Sequence, residues 1–379
     1  MTPNSRAASG DKMTGMSLDL NADVVALTEA VVDMESVSRN EKPLADAIEM
    51  ALSAIDHLEV TRIGNSLVAR TDLGRDERVV IAGHIDTVPL NRNLPARNDG
   101  SKLHGLGTCD MKGGVAVALR LAQSVPEPDR DVTFVFYECE EIDDVYNGLG
   151  KFASERPDLL EADFAILMEP SDAVVEAGCQ GTLRVDVTVR GQRAHSARSW
   201  RGINAIHGAG EVLRRLGEYE ARQPVIDGLE YHEGLNAVQI SGGVASNVLP
   251  DECVVTVNYR YAPDRSEAEA QLFVKEFFDG FEIEVIDSAP AALPGLEVPA
   301  ASAFVEAVGG KVNPKFGWTD VARFTGLGVP AVNYGPGDPM LAHKQEEFVL
   351  IDQLHACEAT LRTWLGTWLG DAAEAGEAP

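Results

Sequence analysis

The chain has 379 residues, of which 45% are apolar and 24% charged. Sixty Asp and Glu against 32 Lys and Arg give a net charge of −28. Such a surface repels phosphate backbones and anionic membranes, which speaks against nucleic-acid and membrane partners. No run of 18 apolar residues occurs, so no membrane-spanning helix is predicted. Residues 1–18 are polar, lack an apolar core and read as a disordered leader, not a signal peptide. The five cysteines (Cys109, Cys139, Cys179, Cys253, Cys357) are odd in number and form no CxxC pair. Neither a disulfide framework nor a thiolate zinc site is indicated, and the cytoplasm is the expected compartment.

Ser38-Arg39-Asn40-Glu41 has capping-box spacing ahead of the stripe Leu44, Ile48, Leu52 and Ile55, which predicts a helix. Short apolar runs at 66–71, 79–82, 132–137 and 164–168 predict buried strands, with a helix over 113–125. This alternation predicts an open, layered α/β domain. At Thr182 the pattern changes: Leu183, Val185, Val187 and Val189 alternate with polar residues, as in a half-exposed strand. A helix near 203–219, strands near 235–241 and 253–261, a helix opened by Ser266-x-x-Glu269 and a strand through Phe281, Ile283 and Val285 follow. The order β-α-β-β-α-β is the ferredoxin-like pattern. Residues 290–299 read as a linker, 329–334 as a strand, and Leu354, Leu361, Leu365 and Trp368 as one face of a last helix. The predicted architecture is a catalytic α/β domain in two segments, 19–181 and 293–370. A smaller α+β domain is inserted at 182–292, and an acidic flexible tail covers 371–379.

Several short segments place His, Asp and Glu at strand ends, where open α/β sheets build their sites. In Gly83-His84-Ile85-Asp86, His84 and Asp86 project to one side. An Asp there can fix a ligating His; a turn with a satisfied His reads the same. Glycines between 105 and 114 surround Asp110 just before a helix, in neither the P-loop nor the dinucleotide spacing. A buried Asp at that point needs a cation or several donors; the other readings are a plain turn or a phosphate-cradling loop. Residues 138–144 carry five acidic side chains after a strand. They form either a solvated acidic loop or a site in which one Glu ligates and its neighbour handles protons. Glu169, in Met168-Glu169-Pro170, and His343, in Leu341-Ala342-His343-Lys344, complete the set. Two His and three carboxylates without cysteine match a dinuclear zinc site.

In this order, GHIDTVP, GTCDMKGG, ECEE, MEP and AHK resemble the M20 family of zinc aminoacylases and peptidases, over about residues 22 to 369. The resemblance implies a zinc-peptidase-like catalytic domain with an inserted ferredoxin-like lid and dimerisation domain. It implies that His84 and Glu169 hold one Zn2+ and Glu141 and His343 the other, with Co2+ able to substitute. Asp110 would bridge them and precede a cis peptide. Asp86 would stand behind His84, and Glu140 would be the general base that later protonates the leaving amine. His195 resembles a lid histidine that the other subunit of a homodimer brings to the oxyanion. Asn247 and Arg260 resemble substrate-contacting positions, and Thr319 and Gly335 lie in loops expected to line the acyl pocket. Independently, Arg260 shares a strand face with Thr256 and Asn258, and a cation on a polar sheet face suits a carboxylate. Nothing pairs a cysteine with a His base, so the cysteines read as buried small residues.

Within the family, the runs at 178–181, 193–200 and 315–320 look most like the actinobacterial type of succinyl-diaminopimelate desuccinylase. Gram-negative members of that type carry an Arg pair where this chain has Cys179-Gln180; Arg184, Arg198, Arg201 and Arg323 are candidate replacements. The expected activity is hydrolysis of N-succinyl-LL-2,6-diaminopimelate, a small N-acyl amino acid, to succinate and LL-2,6-diaminopimelate in lysine and diaminopimelate synthesis. An acetylornithine deacetylase, another aminoacylase or a carboxypeptidase would use the same metal site with a different pocket. A non-catalytic binding protein of this fold would have lost a ligand or the base, yet His84, Asp110, Glu140, Glu141, Glu169 and His343 are all present.

Overall fold

The computed structural model of the chain describes residues 17–366. Most of the predicted leader, Trp368 and the predicted tail lie outside the described residues. Helix α1 (Val24–Asp33) is capped by Asp23, whose side chain accepts from the Val25 amide. Helix α2 (Lys42–Leu52) forms on the predicted apolar stripe, but the capping box does not. Arg39 takes a left-handed backbone, φ 74°, and Glu41 accepts from the Arg39 amide and the Cys139 thiol instead. Ser38 is thereby free to donate to Asp86 Oδ2 at 2.7 Å.

Strands β1 (Glu59–Ile63), β2 (Ser66–Arg70) and β3 (Arg78–His84) precede α3 (Lys112–Ser124). Strand β4 (Asp131–Tyr137), α4 (Gly148–Glu155), β5 (Phe164–Leu167) and β6 (Val175–Ala177) follow. The apolar runs are unbroken because both sheet faces are covered. Val79 and Ile81 of β3 pack with residues of α1, α2 and α3, while Val80 and Ala82 pack with Leu149 and Phe152 of α4.

The alternating segment builds a second sheet from β7 (Gly181–Arg190), α5 (Ala205–Gly217), β8 (Gly234–Gly242), β9 (Glu252–Tyr261), α6 (Glu267–Phe277) and β10 (Glu282–Ala289). The strands are antiparallel in the order β8-β9-β7-β10, the ferredoxin-like arrangement. Leu183, Val185, Val187 and Val189 pack with Val212 of α5 and Val274 of α6 in their own core. The polar residues between them occupy the helix-free face. Helix α6 carries a complete capping box between Ser266 and Glu269. Residues 290–299 are tied down: Cys179 and Ala292 exchange backbone hydrogen bonds, both 3.0 Å.

Helix α7 (Pro299–Ala307), β11 (Val312–Pro314), α8 (Val321–Gly326), β12 (Ala331–Asn333) and α9 (Ile351–Leu365) complete the layers. The eight-stranded sheet runs β1-β2-β4-β3-β5-β12-β6-β11. Its central strands β4, β3, β5 and β12 are mutually parallel, so their C-terminal ends share one edge. Among the described residues no helix is long and apolar enough to cross a membrane.

Helix α3 is pressed onto that edge at Gly114. A Cβ there would lie 2.2 Å from the Met168 carbonyl oxygen and 2.7 Å from Met168 Cβ. Glycine to alanine inside a helix ordinarily stabilises by about 1 kcal/mol. Here the sign reverses: Gly114→Ala is expected to lower the urea midpoint, and a raised midpoint would refute the close packing.

Candidate metal centre and active site

The functional side chains leave the shared strand edge one after another. His84 is the last residue of β3, residues 138–141 follow β4, and Glu169 lies two residues beyond β5. Asp110 enters from the loop before α3, and the Asp110-Met111 peptide is cis. His343 comes from the loop ahead of α9, with a left-handed backbone at φ 64°.

Asp110 stands between two histidines. Its Oδ1 is 3.1 Å from His84 Nε2 and its Oδ2 is 3.3 Å from His343 Nε2. The same His343 nitrogen is 3.0 Å from Glu141 Oε1. His84, Asp110 and Glu141 thus offer ligand atoms within 4.8 Å of one another, a geometry suited to a cation. Asp86 does more than stand behind His84. The His84 Nδ1 lies 3.1 Å from the Asp86 backbone carbonyl and 3.4 Å from its carboxylate. That carboxylate also accepts from the Glu140 amide at 3.0 Å and the Glu141 amide at 3.2 Å. One buried acid therefore fixes both the histidine and the acidic loop.

The electrostatics show a site short of positive charge. Burial, reinforced by the neighbouring Glu169, Asp320 and Glu141, holds Glu140 well above the ordinary carboxylate range, against the pull of His84. Burial and the Asp110 charge push Glu169 up to about 7. Hydrogen bonds to Asp110 and Glu141 push His343 up to about 10. Burial disfavours the charged form of His84, yet Asp110 and Asp86 hold its pKa well above normal. Protons on these groups do the neutralising that a divalent cation does better.

Asp110, Glu140, Glu141, Glu169 and His343 open on a cavity of about 720 Å³. Thr319 lines it too, its hydroxyl donating to Asn333 Oδ1 at 3.0 Å. Arg260, Arg184 and Lys315 supply the positive charge of the wall. Gly335 does not line the cavity. It is buried where a Cβ would come 2.4 Å from the Met168 oxygen and 2.7 Å from the Glu169 oxygen, so it supports Glu169 from behind. His195 and Asn247 are exposed on the insert, with the Ser196 amide donating to the Asn247 carbonyl, and neither faces this chain's cavity. Cys179 and Gln180 also turn away: the thiol points to the Thr319 carbonyl, and Gln180 donates to the His232 carbonyl at 2.7 Å. Of the four candidate replacements for an Arg pair, only Arg184 reaches the cavity. Arg198 and Arg201 are exposed elsewhere, and Arg323 is held by Asp320 and Asp144. All five cysteines are buried and unpaired, and burial pushes the Cys139 thiol up to about 12 and Cys179 up to about 11, unsuited to nucleophilic work.

The profile of Peptidase family M20/M25/M40 matches residues 80–366. The chain belongs to peptidase family M20. An M20 relative in Mycobacterium tuberculosis, assigned as the succinyl-diaminopimelate desuccinylase DapE, is 55% identical over 352 residues, covering 92% of this chain and 99% of that one. The succinyl-diaminopimelate desuccinylase of Corynebacterium glutamicum is 46% identical over 360 residues, covering 92% and 97%. Among solved structures, a tripeptidase from Staphylococcus aureus superposes with a TM-score of 0.74 at 20% identity, covering 90% of this chain and 96% of its own. An M20 metallo-carboxypeptidase from Sulfolobus solfataricus gives 0.72 at 15% identity, covering 91% and 98%. These two show that the fold is that of M20 peptidases.

Two buried residues of this M20 site escaped the sequence reading. Lys315 donates to Glu176 Oε2 at 2.7 Å on the cavity wall, and burial opposes its charge while Glu176 and Glu169 sustain it. Its only signal was its place in the 315–320 run. Glu347 accepts from the amides of Cys109 at 3.0 Å and Asp110 at 3.2 Å, clamping the loop that presents Asp110. In sequence it is one acid in a polar stretch, with nothing to mark it as buried. Glu347→Ala leaves the buried Cys109 amide and the part-buried Asp110 amide without their acceptor, at roughly 1–3 kcal/mol for the buried one. The expected result is a lower unfolding midpoint, largely restored in Glu347→Gln, whose amide oxygen still accepts. Equal loss in both variants would show that the carboxylate charge matters instead.

Proposed function

We propose that this chain is a dizinc amidohydrolase that removes succinate from N-succinyl-LL-2,6-diaminopimelate, releasing LL-2,6-diaminopimelate. The observation that carries the reading is Asp110, with one oxygen at His84 and the other at His343, on a cavity that also holds Glu140 and Arg260. The donors fit: nitrogen and oxygen only, buried or half-buried, and electrostatically in need of a cation. In this reading His84 and Glu169 would hold one Zn2+ and Glu141 and His343 the other, with Asp110 serving both, and Co2+ could take the place of Zn2+. When bound, the ions polarise the amide carbonyl and lower the pKa of a water.

Glu140 is the base that takes the proton of the attacking water. It then delivers that proton to the amide nitrogen as the C–N bond breaks. Asp86 fixes the Glu140 backbone and so aims its carboxylate. Arg260 has Asn258 Oδ1 at 3.2 Å as its hydrogen-bonded neighbour and takes a substrate carboxylate. The choice of succinyl-diaminopimelate over other acyl amino acids rests on the desuccinylase relatives at 46% and 55% identity; an acetylornithine deacetylase of Myxococcus xanthus is 28% identical. Purified enzyme is expected to release succinate from N-succinyl-LL-2,6-diaminopimelate far faster than it deacylates acetylornithine or cleaves dipeptides. Glu140→Gln should lower kcat by about 10²- to 10⁴-fold with zinc content unchanged by mass spectrometry. Full turnover in that variant would sink the assignment of the base.

The insert also supports a homodimer in which His195 of the partner subunit completes the site. Strand β8 is an edge strand with Val238 and Ile240 exposed by 59% and 51%. Ile206 of α5 lies against Gly242 at the end of that strand and is itself exposed. An unpaired, apolar edge of this length invites a second copy across a two-fold axis. His195 and Asn247 share this domain and lie off their own chain's cavity, which supports a role in a neighbour's. His195 would there hydrogen-bond the developing oxyanion. Mixing His195→Ala and Glu140→Ala subunits should restore activity in the heterodimers; no recovery would favour a role within one chain.

A further inference from the structure

We infer that Arg184 and Asp287 form, beside Arg260, a subsite for the zwitterionic α-amino-acid end of the substrate, Arg184 taking its carboxylate and Asp287 its ammonium. This rests on the desuccinylase reading above and says how the far end of diaminopimelate is told from a simple amine. Strand register places the three side chains. In the β7–β9 ladder Arg184 stands opposite Asn258, and Thr182 opposite Arg260. Arg184 and Arg260 are therefore diagonal neighbours on one face, about 7 Å apart at the backbone and within reach for long side chains. That face is the helix-free one, because Leu183 and Val185 on either side of Arg184 belong to the helix-covered core.

Asp287 reaches the same face through an irregularity. Strand β10 pairs Val285 with Val185 and then Asp287 with Arg184, leaving Ile286 unpaired. In a regular strand Ile286 would oppose Arg184 and Asp287 would turn toward the helices. Ser288, the next residue, does turn that way and donates to Glu267 at the start of α6. Bulges re-aim side chains in this manner beside active sites.

The pair is a long, solvent-exposed salt bridge. Arg184 Nη2 and Asp287 Oδ2 are 3.6 Å apart, both side chains are about half exposed (44% and 47%), and both line the cavity that holds Glu140 and His343. A guanidinium and a carboxylate side by side in one wall, loosely paired and open to solvent, match the two charges on a free α-amino-acid carbon. The part of the cavity lining that comes from this sheet carries two guanidiniums and one carboxylate, so a substrate carboxylate meets two cations there.

The test uses three substrates sharing the same scissile amide: N-succinyl-LL-2,6-diaminopimelate, N-succinyl-L-lysine, which lacks the far carboxylate, and N-succinyl-L-2-aminopimelate, which lacks the far ammonium. Arg184→Ala is expected to lower kcat/KM about 10- to 100-fold for the first and third and far less for the lysine compound. Asp287→Asn should penalise the first and the lysine compound and spare the aminopimelate. Equal loss on all three, or none on any, overturns the subsite. Arg184→Gln, closer in length, serves if the alanine variant fails to fold. Calorimetric binding of LL-2,6-diaminopimelate needs no turnover and separates the two readings. If wild type hydrolyses none of the three, the desuccinylase reading fails. The subsite then stands if Arg184→Ala loses that binding and falls if the binding is unchanged.

Discussion

Mutual repulsion among buried carboxylates governs this molecule's functional edge. Asp86, Asp110, Glu140, Glu141 and Glu169 converge where four parallel strands end. Water cannot screen them fully there, so each must find a donor, a proton or a cation. Asp86 is answered by Ser38 and two loop amides, and Asp110 by two histidines. Glu140 and Glu169 are left with little, and their proton affinities rise accordingly. In the proposed reading, two divalent ions would set +4 against the three ligand carboxylates Asp110, Glu141 and Glu169, leaving the ligand shell itself positive inside a chain of charge −28. An anionic substrate can then be drawn into a strongly acidic protein.

The scaffold answers the same constraint by holding backbone still. Asp86 and Glu347 accept main-chain amides on the two loops that carry Glu140, Glu141 and Asp110. Gly114 and Gly335 let neighbouring elements close on Met168, which fixes Glu169. In the proposed reading, the placement of Glu140 as base thus rests on acids and glycines that hold backbone.

Much of this was legible in the amino-acid order. Unbroken apolar runs gave the central strands, and strict alternation after Thr182 gave the half-exposed sheet, because burial on two faces and on one leave different signatures. The segments holding His84, Asp110, Glu140, Glu141, Glu169 and His343 stood out because acids and histidines at strand ends need a reason. Residues whose partners are distant in sequence were not legible. Glu347 meets Cys109 and Asp110 across more than two hundred residues, and only the fold brings them together. The capping-box spacing at Ser38 yields no cap because its hydroxyl has a stronger claim elsewhere, on Asp86. Gly335 resembled a pocket residue and proved to be a spacer behind one.

The irregular residue Ile286 has a consequence for how such a pocket changes over generations. Along β7 and β9 a point mutation can alter the wall without touching the aliphatic side, since the two faces alternate. Along β10 the same outcome depends on pairing register as well as on side-chain identity. Smoothing the strand by one position would replace an acid with an alkyl group opposite Arg184. The acid faces Arg184 only because of how the strand pairs, so a change that re-registers β10 can alter the wall with no new residue type at all.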